Sequence, residues 1–177
     1  MLRSEGAWGV TLIRMNIVLF EPEIPHNTGA IGRTCLMTGA RLHLIHPLGF
    51  FLDEKSLKRA GMDYWKHIDV WEYDNFDHFM AKYPTARFFL VETGGAKTYA
   101  EVHFLMDDFL IFGSESKGLP AWVIEKYYNH IITIPMKGAE RSLNLSVSVG
   151  IVLYEALRQN NFGSFILPAL GDNIIVP

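Results

Sequence analysis

The sequence predicts a single α/β domain in which a mostly parallel sheet carries helices on both faces. Short apolar runs alternate along the chain with helical patterns, and several of these runs are apolar at nearly every position. Parallel strands read as continuous apolar runs because they are buried on both sides. The length of 177 residues suits one domain with its own core.

Six apolar runs are predicted as strands: Asn16–Phe20, Leu42–Ile45, Ile68–Trp71, Phe88–Val91, Phe109–Phe112 and Ile131–Ile134. Five helices are predicted between and after them: Thr28–Thr38, Glu54–Ala60, Phe76–Lys82, Ala121–Tyr128 and Leu143–Gln159. The last helix has the clearest pattern, because its apolar residues recur at helical spacing. They are Leu145, Val149, Val152, Leu153 and Ala156.

Composition excludes several classes of protein. With 49% apolar and 20% charged residues, the composition excludes a disordered chain. No apolar run reaches the length of about 18 residues that a membrane-spanning helix needs, which excludes a membrane-spanning protein. Its one cysteine, Cys35, excludes an internal disulfide and a cysteine-based zinc site. The net charge of −3 provides no global electrostatic attraction for nucleic acid, so composition alone argues against such a partner.

The two ends differ from the middle of the chain. Residues 1–14 carry charges and lack the apolar region of a signal peptide, so they are predicted to be an extension outside the fold. Residues 163–177 are apolar with Gly and Pro breaks, and both a docked arm and a disordered end fit them. The domain is therefore expected to span residues 15–162.

Three polar loops follow predicted strands. They are Glu92–Gly95, Gly113–Pro120 and Pro135–Asn144. The second loop has P-loop-like glycines, but Leu119 stands at the position of the phosphate-binding lysine, so it is not a Walker A motif. Each loop taken alone also suits a plain turn or a capped helix. Because ligands bind beyond the carboxyl ends of parallel strands, the three together favour a site.

Helix starts supply further candidates. Asn27 or Thr28 is predicted to cap the first helix, Ser142 the last, and Pro120 to be the first residue of the helix that it precedes. Arg33, predicted on the second helical turn, offers a planar donor fork suited to phosphate or an oxyanion, although such residues are more often on the surface. His43 is predicted to lie in the core or at an edge.

Familiar catalytic motifs are absent from the sequence. No G-x-G-x-x-G follows a strand, which disfavours a nicotinamide site, and neither H-E-x-x-H nor G-x-S-x-G occurs. The seven histidines show no metal-ligand spacing. We therefore expect no metal.

Three motifs nevertheless occur in a specific order. They are Asn27-Thr28-Gly29-x-x-x-Arg33, then Phe112-Gly113-x-Glu115-x-x-Gly118-Leu119-Pro120, then Ile134-Pro135-Met136 with Arg141-Ser142-Leu143-Asn144-Leu145-Ser146. This set resembles the SPOUT (trefoil-knotted) RNA 2′-O-ribose methyltransferases. The stretches Asn16–Pro25 and Arg59–Tyr64 are similar to the TrmL branch, the tRNA (cytidine/uridine-34) 2′-O-methyltransferases. The resemblance extends from Met15 to Phe162.

The resemblance implies site residues and a cofactor. An S-adenosyl-L-methionine pocket would be formed by Val91, Gly113, Ile134 and Ser142. The catalytic set would be Arg33 at the ribose 2′-hydroxyl, helped by Asn27, with Glu115 and Asn144. Tyr154 and Lys117 would contact the tRNA. Two residues depart from the TrmL pattern, because Lys117 stands where arginine is usual and Ser114 where proline is usual.

The resemblance further implies a C-terminal trefoil knot, a homodimer with the site near its interface, and a cytoplasmic enzyme that needs neither metal nor membrane. Methylation at another tRNA or rRNA position, and a non-catalytic RNA- or nucleotide-binding module, remain the alternatives. Since an arginine pKa exceeds about 12, Arg33 would either orient the hydroxyl and stabilise charge, or transfer the proton with help from an RNA phosphate.

The charge distribution modifies the inference from composition. Lys55, Lys58, Arg59 and Lys66 form a basic cluster in the sequence, whereas residues 69–77 contain acids and no Lys or Arg. A dimer would present this cluster twice. We therefore expect binding to a tRNA through a local patch, weakened by salt.

Overall fold

The computed structural model describes residues 14–52, 63–138 and 142–162. Its strands are β1 (Asn16–Phe20), β2 (Arg41–Ile45), β3 (Val70–Tyr73), β4 (Phe88–Val91), β5 (Lys97–Thr98), β6 (Phe109–Phe112) and β7 (Ile131–Thr133). Its α-helices are α1 (Pro25–Thr38), α2 (Phe76–Lys82), α3 (Ala121–Lys126) and α4 (Leu145–Gln159). Short 3-10 turns occupy Asp63–His67, Tyr99–Glu101 and Tyr128–His130.

The described strands form one seven-stranded sheet in the order β3-β2-β1-β6-β4-β7-β5, and every pairing in it is parallel. The predicted α/β fold with a parallel sheet is confirmed. Strand β1 lies near the centre, where Asn16 is in register with Arg41 of β2 and with Phe109 of β6. The order is not sequential, because β6 lies between β1 and β4. The trefoil knot stays a prediction.

Helices cover both faces of the sheet. Alternate residues of β1 point in opposite directions, so Ile17 and Leu19 join one core cluster while Val18 and Phe20 join the other. The first cluster includes the inner faces of α1 and α4, and all five residues of the predicted apolar face of α4 are buried there. The second cluster includes residues of α2 and α3, and it is rich in aromatic rings.

Several predicted boundaries are wrong by a few residues. Helix α1 begins at Pro25 rather than Thr28, because Pro25 has a φ suited to the first helical position. Arg33 therefore lies on the third turn. Strand β3 begins at Val70 rather than Ile68, since the backbone N–H of Ile68 donates to Trp65 and closes the preceding 3-10 turn (3.1 Å).

The other boundary differences involve the last strands and helices. Helix α3 begins after Pro120, which occupies the N-cap position, and ends at Lys126 before a 3-10 turn. Strand β7 ends at Thr133, one residue before the predicted end, and the two-residue strand β5 was not predicted. The predicted helix Glu54–Ala60 and the tail 163–177 lie outside the described residues. Arg14, the last residue of the predicted extension, forms an ion pair with Asp69 (3.4 Å).

His43 belongs to the core, one of the two places predicted for it. Its ring is fully buried, with Nδ1 2.9 Å from Tyr73 Oη and Nε2 3.2 Å from Asn16 Oδ1. Burial lowers the pKa of His43 to about 3, with a smaller contribution from the positive charge of Arg41. The imidazole is therefore neutral at physiological pH.

Candidate active site

A cleft of about 1000 Å³ opens at the carboxyl ends of β4, β6 and β7. It is lined by residues of all three polar loops predicted from the sequence, and by the first turn of α4. The prediction that these loops meet at one edge of the sheet is confirmed. The four residues predicted for a cofactor, Val91, Gly113, Ile134 and Ser142, all line this cleft.

The loop after β6 is closed on itself. The backbone N–H of Ser114 donates to the carbonyl of Gly118 (3.1 Å), and the N–H of Gly118 donates to the carbonyl of Ser114 (2.9 Å). A Cβ atom at Gly113 would overlap the backbone of Gly118 and Leu119, so only glycine fits there. This tight turn forms part of the cleft wall.

Glu92 and Thr133 connect the loops that border the cleft. The Glu92 carboxylate accepts hydrogen bonds from the N–H of Thr93 (2.8 Å) and of Leu119 (3.0 Å), and thus joins the loops after β4 and β6. The Thr133 hydroxyl donates to the Glu92 carbonyl (2.6 Å) and accepts from the N–H of Gly95 (2.8 Å). The sequence predicts these loops, but no local pattern in it marks either side chain as a connection between them.

Glu115 supplies the acceptor at the start of α1. Its carboxylate accepts from the N–H of Glu23 (2.7 Å), the N–H of Ile24 (3.2 Å) and Asn27 Nδ2 (3.0 Å). The N-cap residue Ile24 has no capping side chain, so the prediction that Asn27 or Thr28 caps this helix is wrong. A carboxylate is favourable here because the helix N-terminus carries partial positive charge.

Glu23 makes the reciprocal connection. Its carboxylate accepts from the N–H (3.0 Å) and the hydroxyl (2.7 Å) of Ser116, the residue after Glu115. The loops after β1 and β6 are therefore held together from both sides. The only sequence signal for this role was that Glu23 lies between two prolines, Pro22 and Pro25, in the first loop.

Asn144 joins this network to the last helix. Its Oδ1 accepts from the N–H of Ser146 (2.9 Å) and of Val147 (3.4 Å), so Asn144 rather than the predicted Ser142 caps α4. Its Nδ2 donates to Asn27 Oδ1 (3.0 Å). Asn27, which is only 5% exposed, thus donates to Glu115 and accepts from Asn144. Its amide orientation is determined, because a carboxylate only accepts.

The structure does not bring every predicted residue to the cleft. Lys117 lines it together with Asn27, Glu115 and Asn144. Arg33 is exposed on α1 and outside the cleft lining, with its Cζ 4.8 Å from the ring centroid of Tyr64. Tyr154 is 48% exposed on α4, also outside the lining. Ser114 is buried in the closed loop and contributes to the cleft lining.

Other predicted residues fall partly outside the described ranges. Arg141 of the third motif lies there, as do Lys55, Lys58 and Arg59 of the basic cluster, whereas Lys66 is described and exposed. Within the described ranges, no group of three His, Cys, Asp or Glu side chains is arranged to hold a metal ion. None of the helices in those ranges is both long and apolar enough to cross a membrane.

The sequence profile of the SpoU rRNA Methylase family matches residues 14–154. This chain belongs to that family. The match confirms the resemblance inferred from the three ordered motifs, and all three lie inside it. In this SpoU family member, residues of all three motifs line the cleft, although Arg33 of the first motif lies outside it.

Comparison with individual proteins agrees with this family assignment. A Saccharophagus degradans protein named tRNA (cytidine(34)-2′-O)-methyltransferase is 47% identical over 148 residues, 83% of this chain and 96% of that protein. A solved structure reported as giving structural insights into the 2-OH methylation of C/U34 on tRNA superposes with a TM-score of 0.78 at 44% identity. The superposition covers 84% of this chain and 97% of that one. An AdoMet-bound rRNA methyltransferase from Sinorhizobium meliloti superposes with a TM-score of 0.71 at 26% identity, covering 82% and 56%.

Proposed function

We propose that this SpoU family member transfers a methyl group from S-adenosyl-L-methionine to the ribose 2′-oxygen of nucleotide 34, a cytidine or uridine, in tRNA. The observation that carries the proposal is the hydrogen-bonded series Glu115–Asn27–Asn144 at the cleft, which unites residues of all three motifs. The names of the relatives supply the substrate, since the similarity extends over nearly their whole length.

The cleft residues fit the cofactor. The apolar part of the cleft lining, with Val91, Ile134 and Leu143, suits a purine ring, while the closed loop at Gly113 offers backbone polar groups at close range. We propose that Val91, Gly113, Ile134 and Ser142 hold it. When bound, S-adenosyl-L-methionine supplies a methyl group already activated by the positive sulfur.

The protein's part in this reaction is chiefly to position the groups that react. The ribose 2′-oxygen attacks the methyl carbon in line, the C–O bond forms as the C–S bond breaks, the electron pair stays on sulfur, and the 2′ proton is released to water. We propose that Arg33 orients the hydroxyl and stabilises the negative charge that develops on its oxygen. Glu115, Asn27 and Asn144 hold the loops that shape the site.

We also propose a homodimer. Helices α1 and α4 pack side by side on one face of the sheet, and their outer surfaces leave Met37 (67%) and Val147 (49%) exposed. An apolar two-helix surface beside a cleft suits a second copy of the chain. Such a dimer accounts for the position of Arg33, because an exposed residue outside its own cleft can reach the cleft of the other subunit.

The remaining parts of the proposal follow from this function. Lys117 at the cleft, Tyr154 on α4 and the exposed Lys66 are proposed to contact the tRNA. The substrate is cytoplasmic, and so is the proposed enzyme. A C-terminal trefoil knot is expected from family membership.

Tritium transfer from labelled S-adenosyl-L-methionine tests the function. Purified protein is incubated with total tRNA or with rRNA, and labelled tRNA is digested to locate the modified nucleotide. Label at the 2′-oxygen of nucleotide 34 is expected. Label confined to rRNA or to another tRNA position would contradict the proposed substrate. Absence of label, in protein that binds the cofactor by calorimetry, would contradict the proposed methyl transfer.

A further inference from the structure

The side chain of Arg33 has a single partner within the described parts of the chain. Its guanidinium lies over the ring of Tyr64, 4.8 Å from Cζ to the centroid, and no hydrogen bond or ion pair to another described side chain holds it. An exposed arginine with only solvent around it would sample many rotamers, which is costly for a group that must meet a small target. The ring of Tyr64 is the group that limits this freedom.

Tyr64 is itself firmly placed. It belongs to the 3-10 turn Asp63–His67, which packs on α1 where the helix has glycines. A Cβ atom at Gly32 would lie 2.8 Å from Ile68 Cδ1 and 3.0 Å from Trp65 Cζ3, so glycine permits this close approach. The position of the Tyr64 ring over α1 is therefore set by the packing of Trp65 and Ile68, which follow it in the sequence.

The hydroxyl of Tyr64 contacts the same turn of α1 that carries Arg33, the residue under which the ring lies. It donates to the carbonyl of Gly29 at 2.9 Å. In an α-helix that carbonyl also accepts the backbone N–H four residues later, which is the N–H of Arg33. One tyrosine thus contacts both the backbone turn from which Arg33 projects and the guanidinium at its end.

We propose that Tyr64 is the positioning residue for Arg33; this inference rests on the proposed role of Arg33 in methyl transfer. In a contact of this kind the positive charge of the guanidinium interacts with the face of the ring, and the contact needs no hydrogen-bond acceptor for the N–H groups. A carboxylate partner would instead occupy those donors. The contact with the Tyr64 ring therefore orients Arg33 while leaving its donors available to a ribose or phosphate oxygen.

Two substitutions separate the ring from the hydroxyl. Tyr64→Phe keeps the ring and should retain kcat within about threefold of wild type. Tyr64→Leu removes the ring and should lower kcat about tenfold or more, with an unchanged Kd for S-adenosyl-L-methionine, because Tyr64 is outside the cleft lining. Trp71→Leu is the matched control. It also removes an aromatic ring that lies under a cation, Lys82 Nζ at 4.0 Å, and it also removes a hydrogen bond, which the ring N–H of Trp71 donates to Asp69.

An activity-independent measurement accompanies the kinetics. The Nε–Hε signal of Arg33 in NMR spectra should be ordered and shifted by the ring in wild type and in Tyr64→Phe, and should become mobile and unshifted in Tyr64→Leu. Assignment comes from the signal that disappears in Arg33→Ala. This result is expected whether or not tRNA is the substrate.

Three outcomes would overturn the inference: Tyr64→Leu with wild-type kcat, a parallel loss of cofactor affinity in that variant, or equal losses in Tyr64→Phe and Tyr64→Leu. An Arg33 signal that stays unchanged in Tyr64→Leu would also overturn it. Failure of the proposed function looks different, because wild-type protein would then not methylate tRNA, or Arg33→Ala would be as active as wild type.

Discussion

The Glu115 carboxylate accepts a hydrogen bond of 3.0 Å from the side-chain amide of Asn27, although the two residues are 88 positions apart in the chain. The same carboxylate accepts two backbone N–H groups at the start of α1. Glu115, which lies in the loop after β6, therefore caps the start of α1, the helix that follows the loop after β1. Through Asn27 the interaction continues to Asn144 and the start of α4.

Glu115→Gln tests this cap. The glutamine amide offers one acceptor oxygen and places an NH₂ group against an N–H donor, so we expect a loss of about 1–3 kcal/mol in the free energy of unfolding. We expect kcat to fall as well, because the loops after β1 and β6 lose their mutual position. Denaturant unfolding and tritium transfer measure the two effects. Glu125→Gln, at an exposed position on α3, should change neither.

Asn144 allows capping to be separated from the contact with Asn27. Asn144→Asp keeps an acceptor for α4, so the melting temperature should stay near that of wild type, whereas Asn144→Ala should cost about 1 kcal/mol. Both variants remove the donor to Asn27 Oδ1, and both should lose kcat. Full activity in Asn144→Asp would show that this contact is dispensable.

Mixed dimers test where Arg33 acts. Arg33→Ala and Asn144→Asp are each expected to be nearly inactive alone. If Arg33 serves the other subunit's cleft, each mixed dimer contains one complete site, and random mixing should restore about a quarter of the wild-type rate. No recovery after subunit exchange, with mixed dimers verified by mass spectrometry, would place Arg33 in its own subunit's cleft.

The lowered pKa of the buried His43 predicts that the folded protein loses stability in acid. Its pKa is about 3 in the folded protein and near 6.5 when unfolded, so between these values the unfolded chain binds more protons. The free energy of unfolding should therefore fall by about 1.4 kcal/mol for each pH unit below 6.5, and this contribution is fully present above that pH. Urea unfolding of wild type and His43→Gln should show a smaller pH slope in the variant. The exposed His26→Gln should keep the wild-type slope.

Cys35 should be chemically inert in the folded protein. It is fully buried on the inner face of α1, and burial raises the pKa of its thiol to about 12. Iodoacetamide at pH 8 should label it only after unfolding. Because the chain has one cysteine, the labelled fraction reports this site alone. Rapid labelling under native conditions would contradict the described packing of α1.

Local pattern was sufficient for most of the framework. Apolar runs identified six of the seven described strands, and five of these six are largely buried, because strands covered on both faces need apolar residues. The exception is the edge strand β3, where Trp71 and Glu72 are exposed. The three polar loops could be assigned to one edge, because the carboxyl ends of parallel strands lie on the same side. Strand β5 was missed because two residues, Lys97 and Thr98, carry no periodicity.

The sequence by itself determined the fold class, the family, and the loops that carry the site, since these depend on residue type, spacing and order. Only the tertiary structure decided that Glu115 caps α1, that Asn27 is buried between two partners, and that Arg33 lies over the ring of Tyr64 outside the cleft. Each of these relations joins residues far apart in the chain, 117 positions in the case of Asn27 and Asn144. Such a contact exists only after the sheet has brought its loops together, so no local pattern contains it.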